Sequence, residues 1–287
     1  MIFKKLLHTN KPLAMVLIKA QKEVFSSVLG NHITKHKGDG YDFAELRPYE
    51  TGDDIKHIDW IISSKLDKPH VKVFFQQKEL NVTIVPILTG SLHFGTKRLK
   101  QEVLTEITAL IAFSSVKQGD PYSAYIANEN FSLVSQKNKQ LFGVRHLVQT
   151  VLEYDTIGKD VDYKKLVNNL YTMIKQKSMI FLIGDFFNTK HLNLKALSLK
   201  HEIVIIIVRE RFEENPPKLN NLMITDPINK KTADIRPSNQ ALDNYRKKLQ
   251  EEEKEFFQKL KKSDIRFTKI YNDESPANKI FNLMSRR

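Results

Sequence analysis

From Asn81 onward the chain alternates short apolar runs with longer amphipathic ones, and that alternation limits the fold more than any other feature. The runs at 82–88, 179–183 and 203–208 read as buried strands. Between them, residues 97–116 place Leu99, Val103, Leu104, Ile107, Leu110, Ile111 and Phe113 at the spacing of an amphipathic helix. Residues 141–152, 163–175 and 191–199 read as further helices, and 122–127 with 131–134 as a strand pair around Asn128-Glu129-Asn130. Strands that alternate with helices predict an α/β fold with a mostly parallel sheet covered on both faces.

The flanks follow other patterns. Residues 12–30 read as a helix, with Pro12 at its start, Gly30 at its end and Ala14, Leu17, Ile18, Val24, Phe25, Val28 and Leu29 near helical spacing. Residues 41–60 are dense in polar and aromatic side chains, and 71–75 read as a strand leading into the main domain. Beyond a short strand at 222–225, Asp226-Pro227-Ile228-Asn229 reads as a turn and 242–260 as a charged helix. A last strand at 265–270 and a short helix at 277–284 complete the pattern. The resulting division is an N-terminal helix with an irregular extension over 1–80, a main domain over 81–230, and a C-terminal helical extension over 231–287 packed on the main domain.

Composition removes several function classes. The chain has no cysteine, so disulfide frameworks, thiolate metal sites and cysteine nucleophiles are excluded. Its densest apolar stretches fall far short of the roughly 20 residues that cross a bilayer. Residues 1–7, broken by Lys4 and Lys5, do not form a secretory signal, and a cytoplasmic location is expected. The net charge is +13, which raises nucleic acid as a partner. The excess is spread: +5 over 1–40, −2 over 41–80, +4 over 81–180 and +6 over the remainder. That pattern fits a solvated surface, with 1–40 the one candidate basic arm.

The most informative segment runs from Gly40 to Trp60. Arg47 can pair bidentately with a carboxylate among Glu45, Asp53, Asp54 and Asp59. A tight turn falls at Gly52-Asp53, and Tyr49 and Trp60 can bury their rings while a polar edge stays hydrogen-bonded. The segment is either a structural knot or a recognition surface. If the partner of Arg47 is buried, Arg47→Ala is expected to destabilise the fold strongly. Asp53, Asp54 and Asp59 could also be imagined as an acidic nuclease site.

Phe43-Ala44-Glu45-Leu46-Arg47-Pro48-Tyr49, Gly52-Asp53-Asp54 and Ile58-Asp59-Trp60 together resemble the signature of bacterial DUF family fifty-eight, a domain of unknown function. The resemblance continues through Thr89-Gly90-Ser91, Phe94-Gly95, Gly119-Asp120, Ile183-Gly184-Asp185 and Asp226-Pro227, and covers roughly residues 35–230. It implies a von Willebrand factor type A-like, Rossmann-like domain and a protein-binding role beside a MoxR-type AAA+ ATPase. In such domains an Asp-x-Ser-x-Ser loop holds a cation, helped by a Thr and an Asp from other loops. The matching positions here are Ile87, Thr89 and Ser91, with Asp185. Isoleucine cannot ligate, and one carboxylate with two hydroxyls repays the dehydration of Mg²⁺ poorly. No metal and no cofactor are therefore expected, and Thr89-Gly90-Ser91 reads equally as a loop capping the next helix. Pro86 removes a ladder donor from a strand that should be central, so that strand is irregular near its end or lies closer to an edge.

No phosphate loop, dinucleotide turn, nucleophile elbow or paired-histidine metal motif is present. The expectation is a non-catalytic interaction module that binds an AAA+ ATPase without a divalent cation. The alternative is a nucleic-acid-binding protein using its basic terminal regions.

Overall fold

A computed structural model describes residues 2–25, 35–38, 42–77, 79–217, 222–235 and 237–285. Two compact units emerge, one formed by Met1–Gly30 with Leu80–Arg287 and the other by Asn31–Glu79. This division differs from boundaries at 80 and 230. Helix α1 (Ile2–Phe25) belongs to the large unit, and its Leu13, Ala20 and Val24 are buried in that unit's core. The helix begins ten residues before Pro12, while the expected end at Gly30 lies outside the described residues.

The small unit is an antiparallel sheet of β1 (Lys35–Gly38), β2 (Asp42–Pro48) and β3 (His70–Gln77), in the order β1-β3-β2. The extension is thus not irregular: a third of the signature segment, Asp42–Pro48, is strand. A bulge between Phe43 and Glu45 shifts the β2 register, and helix α2 (Trp60–Leu66) connects β2 back to β3.

The large unit is built on six strands. In chain order these are β4 (Val82–Pro86), β5 (Tyr122–Ala127), β6 (Phe131–Asn138), β7 (Met179–Gly184), β8 (Glu202–Arg209) and β11 (Arg266–Tyr271). The spatial order is β11-β8-β7-β4-β5-β6, parallel throughout except for β6 at one edge. The direction of winding reverses between β4 and β7, an order compatible with a Rossmann-like fold. A hairpin of β9 (Leu222–Thr225) and β10 (Thr232–Ile235) turns at Asp226–Asn229, between β8 and β11 in the chain.

Side chains alternate across the sheet as its pleat requires. Phe181, Ile183, Val204, Ile206 and Val208 face a core that includes α1, α3 (Lys100–Gln118), α4 (Leu141–Leu152) and α9 (Pro276–Ser285). Ile180, Leu182, Ile203, Ile205 and Ile207 face a second core under α5 (Tyr163–Met173), α6 (Lys195–Lys200) and α8 (Asn239–Lys262). The short α7 (Arg211–Glu214) follows β8. Among these helices α3 is not amphipathic as expected: it is buried on nearly every side, because α1, α4 and α9 pack around it.

Pro86 ends a central strand. Val82 and Leu88 donate toward the β5 side and Ile87 toward β7, so an N–H at position 86 would point at β5. The β4–β5 ladder accordingly stops at Ile84, while β4 stays paired with β7 through Pro86. No described helix is long and apolar enough to cross a membrane.

Candidate functional site

In the small unit, both nitrogens of the Arg47 fork donate to Asp53, Nη1 to Oδ2 and Nη2 to Oδ1, each at 2.7 Å. Asp53 Oδ2 also accepts from the Glu50 N–H at 2.9 Å, and Gly52, at φ +111°, lets the chain turn back to make that bond. The guanidinium beside Asp53, followed by that N–H, holds its carboxyl below the ordinary range. Asp53 keeps 18% of its side chain exposed and would still accept from the Glu50 N–H, so the condition for a strong cost of Arg47→Ala, a buried partner left alone, is not met.

The other carboxylates are occupied separately. Asp54 caps a single 3₁₀ turn by accepting from the Lys56 N–H at 3.0 Å. Asp59 caps α2, accepting from the Ile61 and Ile62 N–H groups at 3.1 Å each and pairing with Lys72 at 2.9 Å. Three acids with three separate tasks do not form a nuclease centre. Glu45 is exposed, and Tyr49 is half-buried, its backbone N–H bonded to Pro69 O at 2.8 Å. Trp60 does not bury its ring; it is 66% exposed.

In the large unit the residues of the expected cation loop lie at the carboxyl ends of β4 and β7, where the winding reverses. Ile87 is 2% exposed and its Cβ would stand 3.1 Å from a Cβ on Gly184, so β7 carries a glycine where the isoleucine presses closest. Thr89 and Ser91 share a hydrogen bond of 2.8 Å, and Ser91 Oγ donates to Asp185 Oδ2. Thr89 does not cap the following turn with its side chain. The fold thus brings Thr89, Ser91 and Asp185 together, and the alternative reading of this loop as a cap finds no side-chain cap bond at Thr89.

Sequence reasoning misses the group at the centre. Lys100, in the first turn of α3, is wholly buried; its Nζ donates to Glu213 Oε1 at 2.6 Å and lies 3.4 Å from Asp185 Oδ2. Burial pushes the Glu213 carboxyl above the usual range, against the pull of the Lys100 ammonium. Tyr163, packed against Phe186, is held well above the usual phenol range by burial and then by the Asp185 charge. Arg209, at the end of β8, lays its guanidinium 3.6 Å from the Phe187 ring centroid. A lysine at a helix N-terminus opposes the helix dipole, and that misfit was the available signal for Lys100.

A second network fixes the neighbouring loops. Glu210 accepts from the Thr96 N–H and hydroxyl at 3.1 Å each and from the Asn272 amide, tying the end of β8 to the loop before α3 and the end of β11. Arg98 bonds the Asn272 and Glu274 carbonyls at 2.7 and 2.8 Å and the buried Glu106 at 2.5 Å. Gly90 lies under the hairpin turn, where a Cβ would meet Pro227 O at 2.7 Å. Asp226, an acid expected near the end of the domain, holds that turn through the Ile228 N–H at 2.8 Å and the Asn229 side chain at 2.5 Å.

These residues fit a divalent cation poorly. The position that should supply the first acid is an isoleucine sealed in the core, and an ammonium already lies against Asp185 and Glu213. Among the described residues no three His, Asp or Glu side chains gather as metal ligands.

A mixed α/β unit, with a mostly parallel sheet flanked by helices and a polar cluster where the strand order reverses, is the class that fold and site define. The chain belongs to the family described as "Protein of unknown function DUF58", whose model matches residues 45–255. Uncharacterized proteins of Mycobacterium tuberculosis and Mycobacterium bovis are each 25% identical over 214 residues, which is 71% of this chain and 67% of theirs. Among solved structures, the conserved hypothetical protein BatB from Bacteroides thetaiotaomicron covers 72% of this chain and 98% of its own, at 10% identity and a TM-score of 0.45. An aerotolerance-related membrane protein from Bacteroides fragilis covers 71% and 95%, at 8% identity and a TM-score of 0.44.

Proposed function

We propose that this chain is a non-catalytic protein-interaction module whose large unit is a von Willebrand A-like domain. It docks a protein partner through the loops at the carboxyl ends of its strands, without a divalent cation. The partner is an AAA+ ATPase of the MoxR type, in assembly or maturation of a protein complex in the cytoplasm. The observation that carries the fold reading is the strand order itself: one antiparallel edge strand, a central first strand, and a winding reversal at which Thr89, Ser91 and Asp185 converge. Open α/β sheets bind at that place. The cation-free reading rests on Ile87 and on the ammonium in the cluster.

Docking, rather than enclosure of a small ligand beside the cluster, is supported by the small cleft next to it. The cleft beside Phe187 and Arg209 measures about 50 Å³, against the roughly 300–1,000 Å³ of ligand pockets. Larger depressions of about 370 and 380 Å³ are lined by none of Thr89, Ser91, Lys100, Asp185 or Glu213. Affinity capture from lysate of the native host, with and without EDTA, tests the proposal by mass spectrometry of the retained proteins. An AAA+ ATPase retained equally under both conditions is expected. Loss of that ATPase on chelation defeats the cation-free reading, and its absence from both captures defeats the partner.

A further inference from the structure

An ammonium taken wholly out of water persists only where anions and acceptors replace its hydration shell. Lys100 meets that condition against its helix: the residue opens the first turn of α3, where the dipole disfavours a cation, and its Nζ is held by Glu213 at 2.6 Å and Asp185 at 3.4 Å. From Asp185 the polar chain continues to the Ser91 hydroxyl and then to Thr89. Two carboxylates and two hydroxyls are oxygen donors of the kind a hard divalent ion takes, completed by water. The positive charge among them comes instead from a side chain. The aromatic face of Phe187 lies 5.2 Å from the same ammonium and 3.6 Å from the Arg209 guanidinium, which leaves the cation side of the cluster well supplied.

We infer that Lys100 Nζ is a tethered resident cation, and that removing it converts Thr89, Ser91, Asp185 and Glu213 into a divalent-cation site. The inference rests on the cation-free part of the proposal above and is independent of the partner's identity. Its physical content is charge balance. Lys100→Met keeps an unbranched apolar stem of similar bulk and removes the one cation in direct contact with both Asp185 and Glu213, leaving the Arg209 guanidinium to act on Glu213 from a distance. That pair then either protonates or recruits a cation.

The test uses the full chain and Mn²⁺ as probe, with bound ion counted from the loss of the free-Mn²⁺ electron paramagnetic resonance signal. The wild type should take up no Mn²⁺ at about 1 mM, the weak end of protein oxygen sites, and its melting temperature should not move. Lys100→Met should melt lower, bind one equivalent of Mn²⁺ and recover part of the lost melting temperature when the ion is added. Adding Asp185→Asn to Lys100→Met should abolish both the uptake and the recovery. A lysine that merely braces the fold would lower the melting temperature in Lys100→Met with no uptake and no recovery, and that result overturns the inference while leaving cation-free docking intact. Mn²⁺ uptake by the wild type that is lost in Asp185→Asn overturns both. If Lys100→Met yields no folded protein with or without Mn²⁺, nitrogen-detected spectra of the wild type decide. A slowly exchanging lysine ammonium signal that disappears in Glu213→Gln supports the tethered cation, and its absence from the wild type defeats it.

Discussion

A Cβ built on Gly95 would come within 1.9 Å of the Arg98 carbonyl oxygen and 2.9 Å of Leu99 Cα, both backbone atoms. The tight loop that delivers Lys100 to Asp185 and Glu213 therefore has no room for a side chain there, and it is closed by Lys100 N–H donating to Phe94 O at 2.9 Å. Gly95→Ala should lower stability by about 1–3 kcal/mol, the usual cost of forced overpacking with backbone displacement, read from urea unfolding. The small unit offers a pH-dependent counterpart. Asp53 and Asp59 both have carboxyls held below their ordinary range, Asp53 first by Arg47 and Asp59 first by Lys72. A depressed folded value stabilises above the unfolded pKa and is lost as pH falls through the folded one. Trp60, the single tryptophan, follows Asp59 directly and reports the α2 cap. Its emission should stay flat from about pH 8 to 5 and change only below about pH 4, where aspartates titrate. A change centred near pH 6 would show that these carboxylates do not govern the unit.

At the scale of elements, Leu13 and Val24 of α1 are buried against the large-unit core, and Lys19 Nζ reaches the buried Glu106 of α3 at 2.5 Å. Replacing Leu13 and Val24 together by alanine should cost about 3–6 kcal/mol, two well-buried aliphatic side chains' worth, measured by thermal or urea unfolding. A loss below about 1 kcal/mol would mean that α1 is dispensable cover. The strands of the large sheet were legible because a parallel sheet buries both faces, so 179–183 and 203–208 are apolar without interruption. Helices α4 and α5 were legible from their apolar stripes. Strand β2 was not, because Asp42–Pro48 carries charges and a bulge and pairs only within a small sheet. The cluster was half legible. Thr89, Ser91 and Asp185 were singled out by the family resemblance, whereas Glu213 lies 113 positions from Lys100 and no local spacing connects them.

For the molecule as a whole, the surplus of 46 basic over 33 acidic side chains keeps the nucleic-acid alternative measurable. The stretch expected to be a basic arm is helical from Ile2 to Phe25, and its described buried side chains face the core. Charge spread over the surface, rather than gathered in one run, should give only weak, sequence-independent binding. A gel shift with duplex DNA should show no complex at about 150 mM salt, and any complex at about 50 mM should disappear steeply with added salt. A complex that survives physiological salt would favour the nucleic-acid reading over the docking module.

The parallel pairing of β11 with β8 has a consequence for how the chain is made. Strand β8, with Ile203 to Val208 sealed on both faces, emerges from the ribosome well before its outer neighbour. Until translation has passed Tyr271, one flank of the nascent sheet lacks its partner and presents unpaired backbone groups beside an isoleucine-rich surface. Premature termination anywhere in the hairpin or in α8 would leave that flank permanently open. A chain truncated before Arg266 should therefore aggregate where the chain through Tyr271 does not, as read by light scattering after expression.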